Sequence, residues 1–201
     1  MGREFVKRVL VACEYSAMVR DAFRQLGHDA WSCDILPTEG NANYHFQEDI
    51  FECLERTGKW DLMIAHPSCQ YLANSGVRWL YTNELRWQKM IEGGYFFRRL
   101  LEHPIEKIAV ENPVIHKWAK LVIGRKPDQV LQPWMFGDNE TKAVCLWLKN
   151  LPLLKPTVLK KPDNVESRVH NMAPHPDRSK ERSRFFKGMA MSMAKQWGGY
   201  I

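Results

Sequence analysis

The chain has 201 residues, of which 45% are hydrophobic and 26% are charged. This composition is typical of a folded globular protein and excludes a disordered chain. The longest apolar runs, at residues 9–13 and 62–65, are too short to cross a bilayer, and no apolar signal segment follows Met1. We therefore expect a soluble, cytoplasmic protein that has no membrane partner.

The net charge of +6 is distributed unevenly along the chain. Residues 1–116 carry a balance of −3, whereas residues 117–201 carry a balance of +9. A basic C-terminal part predicts a polyanionic partner, and nucleic acid is the first candidate. The alternative interpretation is a charged surface that only keeps the protein soluble.

Strand-like and helix-like segments alternate along the chain, which predicts an α/β fold with a mostly parallel sheet and helices on both faces. In such sheets, ligands bind at the carboxyl ends of the strands. Four segments follow predicted strands and carry polar or reactive residues: 13–17, Asp34, 66–70 and 111–113. The predicted strands lie at 8–13, 30–33, 61–65, 108–110 and 144–148, and the predicted helices at 19–26, 84–103 and 184–197.

Residues 151–183 differ from the rest of the chain. They are rich in Pro, Lys, Arg, His and Asn and show little periodicity. We interpret this segment as a long basic loop or a small excursion from the sheet, of the kind that is functional or disordered in compact domains.

Cys69 and Glu111 each follow a predicted strand directly. A cysteine in a turn rigidified by Pro67 can act as a nucleophile, and neighbouring cations would lower its pKa. A carboxyl group at the end of the next strand can act as an acid or orient a heterocycle. Taken singly, the cysteine is more simply a small buried side chain and the glutamate a surface carboxylate. The occurrence of the pair on one sheet favours a catalytic site.

Two acids and a loop without glycine define a candidate cofactor site. Asp34 and Asp49 are candidates to accept hydrogen bonds from ribose hydroxyls, although either is also a common turn residue. The first strand-to-helix turn, residues 12–18, has no glycine. Phosphate-cradling loops need glycine, so the sequence argues against a dinucleotide or triphosphate and leaves a cofactor without phosphates.

Other notable residues are interpreted as structural. The odd number of cysteines and the lack of a C-x-x-C pair argue against a disulfide framework and a structural zinc site. Four histidines lack metal-ligand spacing and are taken as surface or turn residues: His66, His116, His170 and His175. Four tryptophans are assigned to the core rather than to a base-stacking platform: Trp118, Trp134, Trp147 and Trp197.

The combination of motifs resembles the cytosine C5 methyltransferases, and more closely the short methyltransferase-like proteins of phages and prophages. The family's Pro-Cys-Gln nucleophile motif, a short spacer and a glycine correspond to residues 68–76, with Ser68 at the second proline. The family's Glu-Asn-Val motif appears as Glu-Asn-Pro at 111–113, and residues 188–194 are similar to its closing helix. These motifs occur in the family's order and cover most of the chain.

The resemblance implies a Rossmann-like methyltransferase fold in a single domain, 1–201, in which the basic loop at 151–183 replaces a target recognition domain. It implies that Cys69 attacks C6 of a cytosine in DNA and that Glu111 holds or protonates N3. The C5 atom then takes the methyl group of S-adenosylmethionine, and a cytosine in a duplex is flipped out of the stack. A phage-encoded protein of this kind would act in the host cytoplasm.

The same resemblance assigns binding residues. Lys142 stands where the family has an arginine, and the small basic loop predicts relaxed sequence specificity. The implied cofactor-binding residues are Ala12, Glu14, Tyr15, Ser16, Asp34, Asp49, Ile50 and Pro67. The implied substrate- and nucleic-acid-binding residues are Gln70, Asn112, Lys142, Arg168, Arg178, Lys180, Arg182 and Arg184.

Two alternatives remain open at the level of sequence. The same chemistry can act on a free cytosine nucleotide or on single-stranded nucleic acid, because no recognition domain is evident. A catalytically silent nucleic-acid-binding protein with the same fold is the other alternative, because the cofactor loop lacks its glycines.

Overall fold

The computed structural model describes residues 7–199 and is organised around one seven-stranded sheet. The strand order is β3-β2-β1-β4-β5-β7-β6, and within the described residues β7 alone runs antiparallel to the others. The strands are β1 (Arg8–Ala12), β2 (Asp29–Asp34), β3 (His45–Gln47), β4 (Leu62–Ala65), β5 (Lys107–Asn112), β6 (Gln129–Leu131) and β7 (Val144–Lys149).

Helices cover both faces of the sheet. They are α1 (Met18–Gln25), α2 (Ile50–Thr57), α3 (Glu84–Leu101), α4 (Lys117–Ile123), α5 (Arg168–Asn171), α6 (Arg178–Ser183) and α7 (Lys187–Gly198). Successive residues of β1 point to opposite faces: Val9 packs with Phe23 of α1 and Trp197 of α7, while Leu10 packs in a second core with Phe97 of α3. Two apolar cores therefore flank the sheet, and the predicted α/β class is confirmed.

The parallel strands bring their carboxyl ends to one edge. Ala12, at the end of β1, pairs with Cys33 on one side and with Ala65 on the other, and Ala65 pairs with Val110 of β5. The central strands are almost entirely buried, which explains their continuous apolar sequences. The segments that follow β1, β2, β4 and β5 must consequently meet at this edge.

Several elements differ from the prediction. The short strands β3 and β6 and the helices α2 and α4 were not predicted, and the C-terminal helix begins at Lys187 rather than at residue 184. Residues 151–183 contain two short helices, α5 and α6, within otherwise irregular chain. Among residues 7–199, no helix has both the length and the apolar character that a membrane crossing requires.

Candidate active site

The loop that carries Cys69 is held by groups from the two neighbouring strands. The His66 backbone N–H donates to the Ala12 carbonyl at 2.9 Å, and the Asn112 amide Nδ2 donates to the Pro67 carbonyl at 2.8 Å. The backbone N–H of Ala73 donates to the Cys69 carbonyl at 2.8 Å and closes a turn. These bonds fix the nucleophile candidate at the carboxyl edge of the sheet.

Glu111 is the second-last residue of strand β5 and is 9% exposed. Its Oε2 atom is 3.1 Å from Nδ1 of His66, the residue that follows β4. His66 lies in the loop after β4, as a turn position, but its side chain is mostly buried against Glu111 rather than at the surface. Its ring also contacts Phe185 at a centroid distance of 4.8 Å.

The environment raises the pKa of the Cys69 thiol. Burial is the largest cause, and the negative charge of Glu111 is the next. Lys142 and Arg182 act in the opposite direction without reversing the shift. Neighbouring cations therefore lower this pKa as expected, but burial and Glu111 outweigh them and the net shift is upward. The segment that leads to Cys69 lies beside Glu111, because Pro67 accepts from the Asn112 amide and His66 contacts the Glu111 carboxylate.

His116 is a second buried histidine that sequence reasoning placed at the surface. It is 2% exposed, and its Nδ1 accepts from the Ala119 N–H at the start of α4. Because Nδ1 accepts, Nε2 carries the proton and donates to the Tyr71 carbonyl at 3.0 Å. The neutral imidazole thereby ties the Cys69 loop to α4, and burial lowers its pKa.

We expect His116→Ala to lower the free energy of unfolding by about 2 kcal/mol, because it removes a helix cap and a hydrogen bond. His116→Asn retains a capping side chain and should lose less. In the unfolded chain, His116 binds a proton with the ordinary histidine pKa near 6.5, whereas its pKa in the folded protein is lower. The wild-type advantage should therefore shrink as pH falls below about 6.5. Urea unfolding at several pH values measures it; an advantage independent of pH would contradict the assignment.

Glu14, the acidic residue of the first loop (residues 13–17), stabilises the start of α1. The Glu14 carboxylate accepts from the N–H groups of Val19 at 2.7 Å and Arg20 at 3.2 Å, and Ser16 Oγ lies 3.4 Å from the same carboxylate. The Tyr15 hydroxyl donates to the Lys180 carbonyl in α6. The polar groups of Glu14 and Tyr15 are therefore engaged in hydrogen bonds within the protein.

The same loop adopts glycine-like geometry without glycine. Cys13 has φ 57° and Ala17 has φ 63°, both in the left-handed region that favours glycine. The glycines missing from the sequence are therefore replaced by strained residues at two positions. The loop therefore keeps a backbone conformation that glycine adopts with less strain.

Ala17→Gly should raise the free energy of unfolding by about 0.5 kcal/mol, since relief of the left-handed strain exceeds the loss of one buried methyl group. The matched control is Ala22→Gly within α1, which should lower it by about 1 kcal/mol. Urea denaturation of both variants measures the two changes. A destabilising Ala17→Gly would show that the backbone at this position is not strained.

Asp34 and Asp49 flank the first loop. The Asp34 Oδ1 accepts from the Leu36 N–H at 2.9 Å, and burial raises the pKa of its carboxyl group. The Asp49 Oδ1 accepts from the Phe51 N–H at 2.8 Å and so begins α2. After burial, the charges of these two acids are the main causes that raise the pKa of Cys13, which places both acids beside the loop. Ile50 is buried in the core beneath them.

The predicted nucleic-acid-binding residues divide into two groups. Lys142 and Arg182 lie near Cys69, and the Lys142 Nζ donates to the Arg182 carbonyl at 3.2 Å. Gln70, next to Cys69, is exposed. The others have partners within the chain: Arg168 lies 3.8 Å from Glu140, Arg178 donates to the Met172 carbonyl, and Lys180 and Arg184 form ion pairs with Glu39 at 3.2 and 2.8 Å.

No protein-family model matches the chain, and no curated protein matches it. Among solved structures, the chain is similar to a prophage-encoded E. coli protein assigned as a DNA modification methyltransferase, at 14% sequence identity and a TM-score of 0.49. It is also similar to a methyltransferase of Entamoeba histolytica, at 13% identity and a TM-score of 0.46. These matches cover 77% and 85% of this chain but only 52% and 61% of the other two, so this chain spans about half to three fifths of their length.

Proposed function

We propose that the protein transfers a methyl group from S-adenosylmethionine to C5 of cytosine in DNA through a covalent bond to Cys69. The observation that carries the proposal is that the segment leading to Cys69 is held against β5 beside Glu111: the Asn112 Nδ2 donates to the Pro67 carbonyl at 2.8 Å, and His66 Nδ1 lies 3.1 Å from the Glu111 Oε2. The resemblance of residues 68–76 and 111–113 to the family's two motifs supports the same chemistry.

Cys69 and Glu111 would act on opposite sides of the pyrimidine ring. The Cys69 thiol gives up its proton, which Glu111 takes up; the sulfur forms a bond to C6, and the electron pair of the C5–C6 double bond moves to C5. Glu111 holds a proton at N3, which makes C6 more electrophilic. After C5 has gained its methyl group, it loses its proton to a base, and the Cys69–C6 bond breaks to restore the double bond and the free sulfur.

The raised pKa of Cys69 fits this division of roles. In the free protein, the charged Glu111 carboxylate opposes formation of the thiolate. A Glu111 that shares a proton with N3 of cytosine no longer carries that full charge. Binding of the base would therefore favour ionisation of the thiol that attacks it, while Lys142 and Arg182 favour the thiolate throughout.

The residues beside the first loop fit S-adenosylmethionine, which supplies an electrophilic methyl group when it is bound. Asp34 and Asp49 provide carboxylate oxygens at the ends of β2 and of the segment before α2, where ribose hydroxyls need acceptors. This cofactor carries no phosphate group that the loop would have to bind.

Mass spectrometry of nucleosides tests the proposal. The protein is incubated with S-adenosylmethionine and with duplex DNA, single-stranded DNA or free dCMP, and the products are digested to nucleosides. We expect 5-methylcytosine from DNA and unmodified cytosine from dCMP. Methylation of dCMP alone would show that the substrate is a free nucleotide and not DNA. Absence of any methylated product would favour the catalytically silent alternative.

A further inference from the structure

A cluster of aromatic side chains lies on the surface formed by the 3₁₀ helix Asn74–Tyr81, the start of α3 and α4. Trp87 packs edge-on against Tyr81 at 6.0 Å and against Trp118 at 5.6 Å between ring centroids. The Trp118 Nε1 donates to the Tyr81 hydroxyl at 3.0 Å. We call this cluster, with Trp79 from the same 3₁₀ helix, the aromatic face, although the Trp79 ring contacts Arg78 and not the other rings.

The aromatic face is open to solvent. Trp79 is 47% exposed and Tyr81 is 64% exposed, whereas Trp147 and Trp197 are fully buried. The assignment of Trp118 to the core is only partly correct, because its ring is half-buried and belongs to this surface. Large exposed aromatic rings that contact one another mark an interaction surface rather than a core.

Positive charge accompanies these rings. The Arg78 guanidinium lies 4.6 Å from the Trp79 ring centroid, and the Lys117 Nζ lies 4.6 Å from that of Trp118. Residues 74–92 and 117–123 contain five basic and two acidic residues. Rings that can stack on bases, combined with cations that can contact phosphates, are the features by which proteins hold single-stranded nucleic acid.

The aromatic face is continuous with the Cys69 loop. Ala73 forms an isolated bridge with Ile115, just before α4. Arg86, adjacent to Trp87, lies 3.5 Å from the Gln70 carbonyl and stacks over the Tyr71 ring at 4.9 Å. A strand that lies on this face would therefore lead directly to the residues around Cys69.

We infer that the aromatic face binds unpaired bases of single-stranded nucleic acid next to the nucleotide at Cys69. This inference rests on the proposed function, because it names the form of the substrate that the same site takes. Trp79 and Tyr81 each offer an exposed ring to a base, and Arg78 and Lys117 contact the backbone. An unpaired strand supplies such bases without unstacking, which suits a chain with little protein for reading a duplex.

Fluorescence anisotropy with labelled single-stranded and duplex oligonucleotides of one sequence tests the inference, in a Cys69→Ser background without S-adenosylmethionine. We expect Trp79→Ala and Tyr81→Ala each to weaken single-strand binding by roughly tenfold, because each removes one stacking ring. Trp79→Phe should retain most of the affinity. Tyr95→Ala, which removes an exposed tyrosine elsewhere on α3, should leave it unchanged.

The outcomes separate this inference from the proposed function. Unchanged single-strand binding in both alanine variants, equal losses on single strand and duplex, or no binding of any oligonucleotide would each overturn it. Thermal unfolding of each variant establishes that binding is compared between folded proteins. Methyl transfer is measured separately, in the same aromatic variants with Cys69 intact. Methyl transfer with binding that does not depend on Trp79 or Tyr81 would leave the proposed function standing alone, and stacking-dependent binding without methyl transfer would leave this inference standing alone.

Discussion

Replacing Cys69 by serine should reduce methyl transfer to DNA by roughly 10³-fold or more, since the reaction then lacks its nucleophile. A serine hydroxyl has nearly the same volume, but it ionises far less readily than a thiol. Transfer of a labelled methyl group to single-stranded and duplex DNA, measured under single-turnover conditions, gives the rate of the chemical step.

Cys145→Ala is the matched control for this variant. Cys145 lies on β7 opposite Asn112, and the charge of Glu111 also raises the pKa of its thiol, so it shares the electrostatic environment of Cys69. It is 3% exposed and has no role in the proposed reaction. Equal rates for Cys69→Ser and the wild type, or a comparable loss in Cys145→Ala with an intact fold, would remove Cys69 from its proposed role.

Replacing Glu111 by glutamine should have two opposite effects. Methyl transfer should fall by about 10²-fold or more, because glutamine carries no carboxyl proton to hold at N3 of cytosine. Alkylation of Cys69 by iodoacetamide should instead become faster, because the negative charge that helps to raise the thiol pKa is gone. Misfolding would also expose the buried thiol and speed its alkylation, so thermal unfolding of the variant must first show that its fold is intact.

The pH dependence of Cys69 alkylation shows whether removing the charge of Glu111 lowers the pKa of the thiol. The reactive form is the thiolate, so alkylation of wild-type Cys69 should increase with pH and continue to increase above the ordinary thiol pKa. In Glu111→Gln the same increase should occur at lower pH. Glu106→Gln, an exposed glutamate near the opposite end of β5, is the control and should leave the profile unchanged. Identical profiles for the wild type and Glu111→Gln would show that the two groups are not coupled.

The central sheet could be predicted because its strands are short apolar runs followed at once by polar residues. β4 ends where the sequence changes character, whereas β5 continues two residues beyond the predicted end and includes Glu111 and Asn112; both strands still bring Cys69 and Glu111 to one edge. The strands β3 and β6 have only three residues each, and their pattern does not differ from that of a loop. Asp49 could be recognised as a polar residue, but not as the residue that begins α2.

The contacts that tune the site could not be predicted, because they join residues that are far apart in sequence. His66 meets Glu111 only because Ala65 pairs with Val110 across the β4–β5 ladder. Arg184 pairs with Glu39, which lies 145 positions earlier. The charge pattern alone assigned this arginine to nucleic acid. The direction of the Cys69 pKa shift likewise depends on burial, which is a property of the folded protein.

Covalent trapping tests the central claim most directly. A single-stranded oligonucleotide of mixed sequence that contains 5-fluorocytosine is incubated with the protein and S-adenosylmethionine, and the protein is analysed by intact-mass spectrometry and peptide mapping. Fluorine at C5 cannot leave as a proton does, so the sulfur should remain bonded to C6. We predict a mass increase equal to the methylated oligonucleotide, located on Cys69. No adduct, or an adduct on another cysteine, would contradict the account.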